Sequence, residues 1–223
     1  MTKTLNVAMI GGGFMGKAHA MAYAAMPMFF WPAPAIPHRK VVVDLTDGAA
    51  QDARDRFGFD EASSDWKANV NRADIDIVDI CTPNNVHAEI AIEALKAGKH
   101  VICEKPLART LEESVAMVAA ARAAGTTTMV AFNYRRTPAV ALAKKFIDDG
   151  MIGDVINFRG TYLQDWSADP NGPLSWRFQK DIAGSGAVGD IGTHVVDMAH
   201  YLVGPIERVQ AITSTYVKTR PIQ

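Results

Sequence analysis

Gly11-x-Gly13-x-x-Gly16 is the first group of residues whose spacing carries a chemistry. It follows an apolar run over residues 5–10 and leads into residues 17–25, which hold few helix breakers. Between a first strand and a first helix, Gly11 permits the tight turn and Gly13 lets backbone approach a pyrophosphate. Gly16 lets the helix sit close to the strand. The start of that helix, with Phe14 and Met15, offers N–H groups and partial positive charge to phosphates. Asp44 ends the second apolar run, where a carboxylate accepts both ribose hydroxyls of adenosine and repels a 2′-phosphate. That favours NAD over NADP, and a solvent-facing turn aspartate is the alternative. Cys81-Thr82-Pro83-Asn84-Asn85-Val86-His87 follows the third run, with helix capping by an asparagine as its plain reading. Glu104-Lys105-Pro106 closes another buried run. A lysine at a strand's mouth suits proton transfer, and a surface lysine is the plainer reading. Asp190-x-Gly-x-His194-x-x-Asp197 follows a glycine-rich stretch. Asp190 and His194 are four apart and share a face if the segment is helical, so the carboxylate can orient the imidazole. No further His or Cys cluster accompanies them, so no metal is expected.

Residues so placed need a scaffold of alternating strands and helices. Strands are expected over 5–10, 41–43, 75–80, 101–103 and 128–131, with helices over 48–57, 87–97 and 111–124 between them. In the helix over 87–97, Ile90, Ala91, Ala94 and Leu95 fall on one face, and Gly98 is its stop signal. Such alternation implies right-handed crossovers and a parallel sheet, with ligands beyond the carboxyl ends of the strands. From Asn133 onward the pattern changes. Helices are expected over 138–149 and 191–202, strands over 154–163 and 209–217, and a loop over 164–173. Residues 26–38 contain four prolines together with Phe29, Phe30 and Trp31, and read as an ordered insertion loop lining a pocket or an interface.

Composition bounds the partners. The 223 residues are 48% hydrophobic with a formal net charge of −1, so no global field draws nucleic acid or an acidic membrane. Two cysteines, Cys81 and Cys103, close β-like runs and read as reduced thiols. No apolar run approaches the roughly 20 residues that span a bilayer. The N-terminal residues run straight into the first strand without a signal-peptide pattern. The expected location is cytoplasmic.

Four matched pieces in order, Gly-x-Gly-x-x-Gly, Cys-Thr-Pro-Asn, Glu-Lys-Pro and Asp-x-Gly-x-His-x-x-Asp, make the chain resemble the Gfo/Idh/MocA oxidoreductases. The resemblance implies an α/β fold. Residues 1–132 would be a Rossmann domain with a parallel sheet, and 133–223 a second α+β domain on an open mixed sheet. It also implies a longer chain, so the sequence is expected to be a C-terminally truncated fragment, with one apolar face of the second sheet uncovered. The catalytic group would be Lys105, Asp190 and His194. Cofactor contacts would come from Gly11, Gly13, Phe14, Met15, Gly16, Asp44, Thr82, Pro83, Asn84, His87, Glu104 and Lys105. Hydride transfer between a sugar or cyclic polyol hydroxyl and NAD follows, with NADP second. Tyr134, Tyr162, Gln164, Asp165 and Trp166 suit the sugar, aromatic faces against its C–H face and polar groups on its hydroxyls. Within the family, residues 23–40, 130–144 and 159–178 favour members acting on an anhydrosugar. Inositol dehydrogenase-like and ketosugar reductase-like activities, and a non-enzymatic NAD-binding regulator, are the alternatives. A homo-oligomer through the second-domain sheet is expected of the full-length protein.

Overall fold

A computed structural model describes residues 2–222. The chain divides into two compact units, Met1–Ala131 and Phe132–Gln223.

The first unit is built on β1 (Lys3–Ile10), β2 (Ala35–Val43), β3 (Glu61–Ser63), β4 (Ile77–Ile80), β5 (His100–Cys103) and β6 (Thr128–Val130). All neighbours pair in parallel, in the order β3-β2-β1-β4-β5-β6. The order reverses between β1 and β4, which opens a crevice at the carboxyl ends of these strands. Helices α1 (Phe14–Phe29), α2 (Asp47–Phe57), α3 (Trp66–Val70), α4 (His87–Lys96) and α5 (Leu111–Ala124) make the crossovers. Local chemistry sets their limits. The Thr46 hydroxyl accepts the Ala49 N–H at the start of α2, and Thr110 with Glu113 forms a capping box on α5. Gly58 and Gly125 take left-handed conformations at the far ends, which any Cβ would disfavour. α4 buries Ile90, Ala91, Ala94 and Leu95, the face its spacing predicts, against Ala8, Ile10, Val78, Ile80, Val101 and Cys103.

Residues 26–38 are not an insertion loop. α1 runs through Pro27 to Phe29 and β2 begins at Ala35. A proline in the last turns of a helix removes a single backbone hydrogen bond, which a helix of 16 residues tolerates there. Pro37 sits in β2 opposite Leu5 of β1, and β3 pairs only with residues 41–43, so its other edge carries no ladder to break. Met28, Phe29 and Trp31 are exposed. β3 and α3 were not anticipated. At three and five residues they are too short to show a period.

The second unit holds α6 (Pro138–Asp148), α7 (Lys180–Ala183) and α8 (Thr193–Leu202), with 3₁₀ turns at Asn133–Arg136 and Trp176–Phe178. Among its described residues there is no strand. Residues 154–163 and 209–217, expected as strands, run without a ladder partner, and Ile156, Val209, Ile212 and Tyr216 are exposed. β-branched content favours extended backbone, but a strand exists only through pairing of its N–H and C=O groups. The expected helix over 191–202 is also corrected. α8 starts at Thr193, and a π-helical turn, Val188–Gly192, precedes it. The loop over 164–173 is anchored by Arg220, whose guanidinium donates to the carbonyls of Asp169 at 2.7 Å and Ser167 at 2.5 Å. No helix among the described residues is long and apolar enough to cross a membrane.

Candidate functional site

In the first unit the glycine loop has the shape a dinucleotide needs. Gly11 has φ of 101°, and a Cβ there would lie 2.7 Å from the Cys81 carbonyl oxygen. A Cβ on Gly16 would lie 2.1 Å from the Gly11 carbonyl oxygen, so α1 touches the loop through backbone alone. A Cβ on Gly13 would meet nothing within 4 Å, which leaves open space over the start of α1. Phe14 is exposed beside it and Met15 is half-buried. The Asp44 carboxylate is fixed at both oxygens. Oδ2 accepts the Gly12 N–H at 2.9 Å and Oδ1 the Leu45 N–H at 2.7 Å. Each oxygen keeps a second lone pair for a ribose hydroxyl.

The loop after β4 lies against Gly11, with the Thr82 N–H 3.0 Å from a Gly11 Cβ position. The Thr82 hydroxyl is buried without a hydrogen-bond partner, an unmet demand that a bound ligand would satisfy. Pro83 precedes a 3₁₀ turn, Asn84–Val86, and Asn84 is buried in it. α4 starts from Val86 without a side-chain cap, so capping does not account for the two asparagines. His87 is fully buried, with Nδ1 3.0 Å from the Pro106 carbonyl and Nε2 3.0 Å from the Thr82 carbonyl. It braces the two loops that flank the crevice. Lys105 follows β5 half-buried, and its backbone N–H donates to Glu104 Oε2 at 3.2 Å.

In the second unit the structure gathers aromatic rings around an imidazole. His194 is buried in the first turn of α8. Its ring centroid lies 4.6 Å from that of Tyr134, 5.7 Å from Tyr162 and 6.0 Å from Phe132. The two phenol oxygens are 2.6 Å apart, and Gln164 donates to the Tyr162 oxygen at 3.0 Å. The hydrogen bond to Tyr134, then burial, pushes the Tyr162 phenol up to about 12, so it stays protonated at neutral pH. Trp166 stacks on Phe178 at 5.3 Å, and Arg220 covers the other partner of that stack at 4.2 Å from the Phe178 centroid. Asp165 is exposed on the same loop.

The Asp190–His194 spacing works differently from a plain helix. Asp190 lies in the π-helical turn, with Arg177 Nε 3.9 Å from its carboxylate. π turns recur at functional sites. The third acid, Asp197, is buried and taken by Arg135, whose Nε lies 2.8 Å and Nη2 2.5 Å from its oxygens. It anchors the turn over residues 133–136, which carries Tyr134, to α8, which carries His194.

Sequence reading missed His19, Tyr23 and Asp79. Asp79 is a charged residue inside the apolar strand Ile77–Ile80, and that was the available signal, because a buried carboxylate needs a partner. His19 and Tyr23 lie one helical turn apart on α1 and both reach it.

Glycine cradle, a carboxylate at the end of β2 and a six-stranded parallel sheet define a dinucleotide-binding α/β fold. The chain belongs to the Gfo/Idh/MocA family. Residues 5–132 match the model described as an oxidoreductase family with an NAD-binding Rossmann fold, and residues 140–222 match its C-terminal domain. It is 65% identical over 221 residues to levoglucosan dehydrogenase of Pseudarthrobacter phenanthrenivorans, covering 99% of this chain and 57% of that protein. D-apiose dehydrogenase of Paraburkholderia graminis is 30% identical, covering 95% of this chain and 53% of that protein. A levoglucosan dehydrogenase solved with NADH and levoglucosan superposes with a TM-score of 0.98 at 64% identity, over 99% of this chain and 59% of that one. The chain thus spans a little over half the length of these relatives.

Proposed function

We propose that the complete protein is an NAD-dependent dehydrogenase of sugars or cyclic polyols, with an anhydrosugar of the levoglucosan type as substrate. The observation that carries the reading is the buried His194 imidazole among Phe132, Tyr134 and Tyr162. Its support is the 65% identity to levoglucosan dehydrogenase. Aromatic faces take the C–H face of a sugar, and the Gln164–Tyr162–Tyr134 hydrogen-bond chain offers donors and acceptors to its hydroxyls. Asp165 and Trp166 extend that surface. Residues 1–132 hold the dinucleotide and 133–223 the sugar.

When bound, the nicotinamide supplies the hydride acceptor. The loop Gly11–Gly16 takes the pyrophosphate on backbone N–H groups with Phe14 and Met15 at its side, and Asp44 accepts the ribose hydroxyls. Thr82, Pro83 and Asn84 line the end of β4, and the buried Thr82 hydroxyl gains the partner it lacks. The substrate hydroxyl's proton passes to Lys105 Nζ or to a ring nitrogen of His194, and Asp190 orients the substrate end. NADH absorbance across a panel of anhydrosugars, inositols and aldoses tests the reading. Levoglucosan is expected to give the highest turnover. Dinucleotide binding with no NADH formed from any sugar would establish a regulator instead.

Cofactor choice gives a second test. Asp44 is held where a 2′-phosphate would bring like charges together, a cost of several kcal/mol. The protein is expected to prefer NAD, and Asp44→Ser to narrow the preference by about tenfold to a hundredfold in kcat/KM. Wild-type turnover with NADP equal to that with NAD overturns this role for Asp44.

A further inference from the structure

Five side chains of the first unit meet at the carboxyl ends of β4 and β5. Asp79 and Glu104 are both buried, at 0% and 5% exposure. Two carboxylates at this depth need donors on their oxygens and a cation beside them. His19 Nδ1 lies 3.0 and 2.9 Å from the two oxygens of Asp79, and its Nε2 lies 3.0 Å from Glu104 Oε1. The Tyr23 hydroxyl donates to Asp79 Oδ2 at 2.8 Å. The Cys81 thiol lies 3.7 Å from Asp79 Oδ1 and 3.5 Å from His19 Nδ1.

A neutral imidazole has one N–H, so it would turn a lone pair toward one of the two carboxylates. An imidazolium donates to both. Burial opposes the charge on His19, but hydrogen bonds to Asp79, Cys81 and Glu104 outweigh it and raise its pKa. Burial pushes the Cys81 thiol up to about 12, and burial, then the charge of Asp79, raises the Tyr23 phenol. Both stay neutral donors. The second oxygen of Glu104 accepts the backbone N–H of Lys105.

We propose that His19 is a positioning residue, an imidazolium clamped between Asp79 and Glu104 that fixes the carboxylate on which the Lys105 backbone rests. The inference deepens, and rests on, the reading of Lys105 as a proton-transfer group. His19, Asp79 and Cys81 also have the donor types of a metal site, within 4.8 Å of one another. Their donors and acceptors already satisfy each other, with both imidazole nitrogens turned to carboxylate oxygens and the Tyr23 hydroxyl on Asp79, so the clamp is favoured over a metal.

Nitrogen NMR of the histidine-labelled chain tests the charge without any substitution. Over about pH 6 to 9, where an ordinary histidine titrates, His19 is expected to keep protons on both ring nitrogens, with and without added zinc. One proton on His19 anywhere in that window, or loss of both on adding zinc, overturns the clamp. In the complete protein, His19→Gln is expected to lower kcat about tenfold to a hundredfold while KM for cofactor and sugar stays within about twofold. A misplaced proton-transfer group slows chemistry, whereas a loosened fold weakens binding too. Glu104→Gln serves where His19→Gln does not fold. It is expected to lower kcat to a similar degree and to let His19 titrate. Unchanged kcat in a folded variant, or a matched rise in KM, overturns the positioning role. Lys105→Ala measured alongside separates the two readings. If it leaves turnover unchanged, the proton-transfer reading fails. If it abolishes turnover while His19→Gln does not lower it, only the positioning role fails.

Discussion

Lys105→Ala in the complete protein is expected to lower turnover by about 10²–10⁴-fold, the range a positioned acid–base group supplies. The side chain leaves the turn after β5, where Glu104 holds the backbone of Lys105 by its N–H. Alanine keeps that backbone contact and removes the side chain beyond Cβ, amine included. The glycine loop and Asp44 lie on other elements and keep their contacts, so NADH affinity, read by nicotinamide fluorescence, is expected to fall far less than kcat. A fall in kcat without a fall in binding marks a group used in the transition state. His194→Ala measured alongside decides between the two groups: the principal proton acceptor is the one whose loss costs the larger factor. Full turnover in Lys105→Ala would remove the lysine from the chemistry.

The parallel sheet was legible because its signals are local. A capping threonine, a left-handed glycine and an apolar stripe each lie within one element, as on α5 and α4. The 26–38 stretch misled because proline reads as a breaker in sequence. In the fold, Pro27 falls near a helix end and Pro37 on a strand edge that lacks a partner over most of its length. Residues 154–163 and 209–217 misled for the opposite reason. Their β-branched residues are a local feature, whereas strand pairing depends on another segment.

The same division runs through the site. Gly11, Gly13, Gly16 and Asp44 announce themselves by spacing, and the structure places the Gly12 N–H on Asp44. The clamp around His19 joins residues 60 and 85 positions apart in sequence, and no periodicity reports such a contact. Tyr134 and Tyr162 are 28 apart and meet only because the 133–136 turn and the 154–163 stretch fold together beside α8. The π-helical turn is likewise invisible to a helical-face argument, which assumes 3.6 residues per turn through Asp190.

Gly16→Ala is expected to unfold at a temperature roughly 2–12 °C lower, from an overpacking cost of about 1–3 kcal/mol in a chain of this size. The added Cβ would sit 2.1 Å from the Gly11 carbonyl oxygen and 3.3 Å from Met9 Cε. Met9 can shift its terminal methyl. The Gly11 carbonyl has little room to yield, because the Gly11 N–H is bonded to the Val43 carbonyl at 2.7 Å and the Cys81 carbonyl oxygen lies only 2.7 Å from where a Gly11 Cβ would sit. α1 must therefore retreat from β1, taking with it the N–H groups that face the pyrophosphate, so NADH affinity falls by more than about tenfold as well. Gly13→Ala makes the contrast. Its Cβ meets no protein atom within 4 Å, so the unfolding temperature is expected to hold while NADH affinity falls, since the methyl occupies the space phosphate needs. Thermal unfolding and NADH titration of the two variants side by side separate close packing from ligand approach. A Gly16→Ala protein as stable as wild type would mean that the contact between α1 and the loop is not what sets the position of the helix.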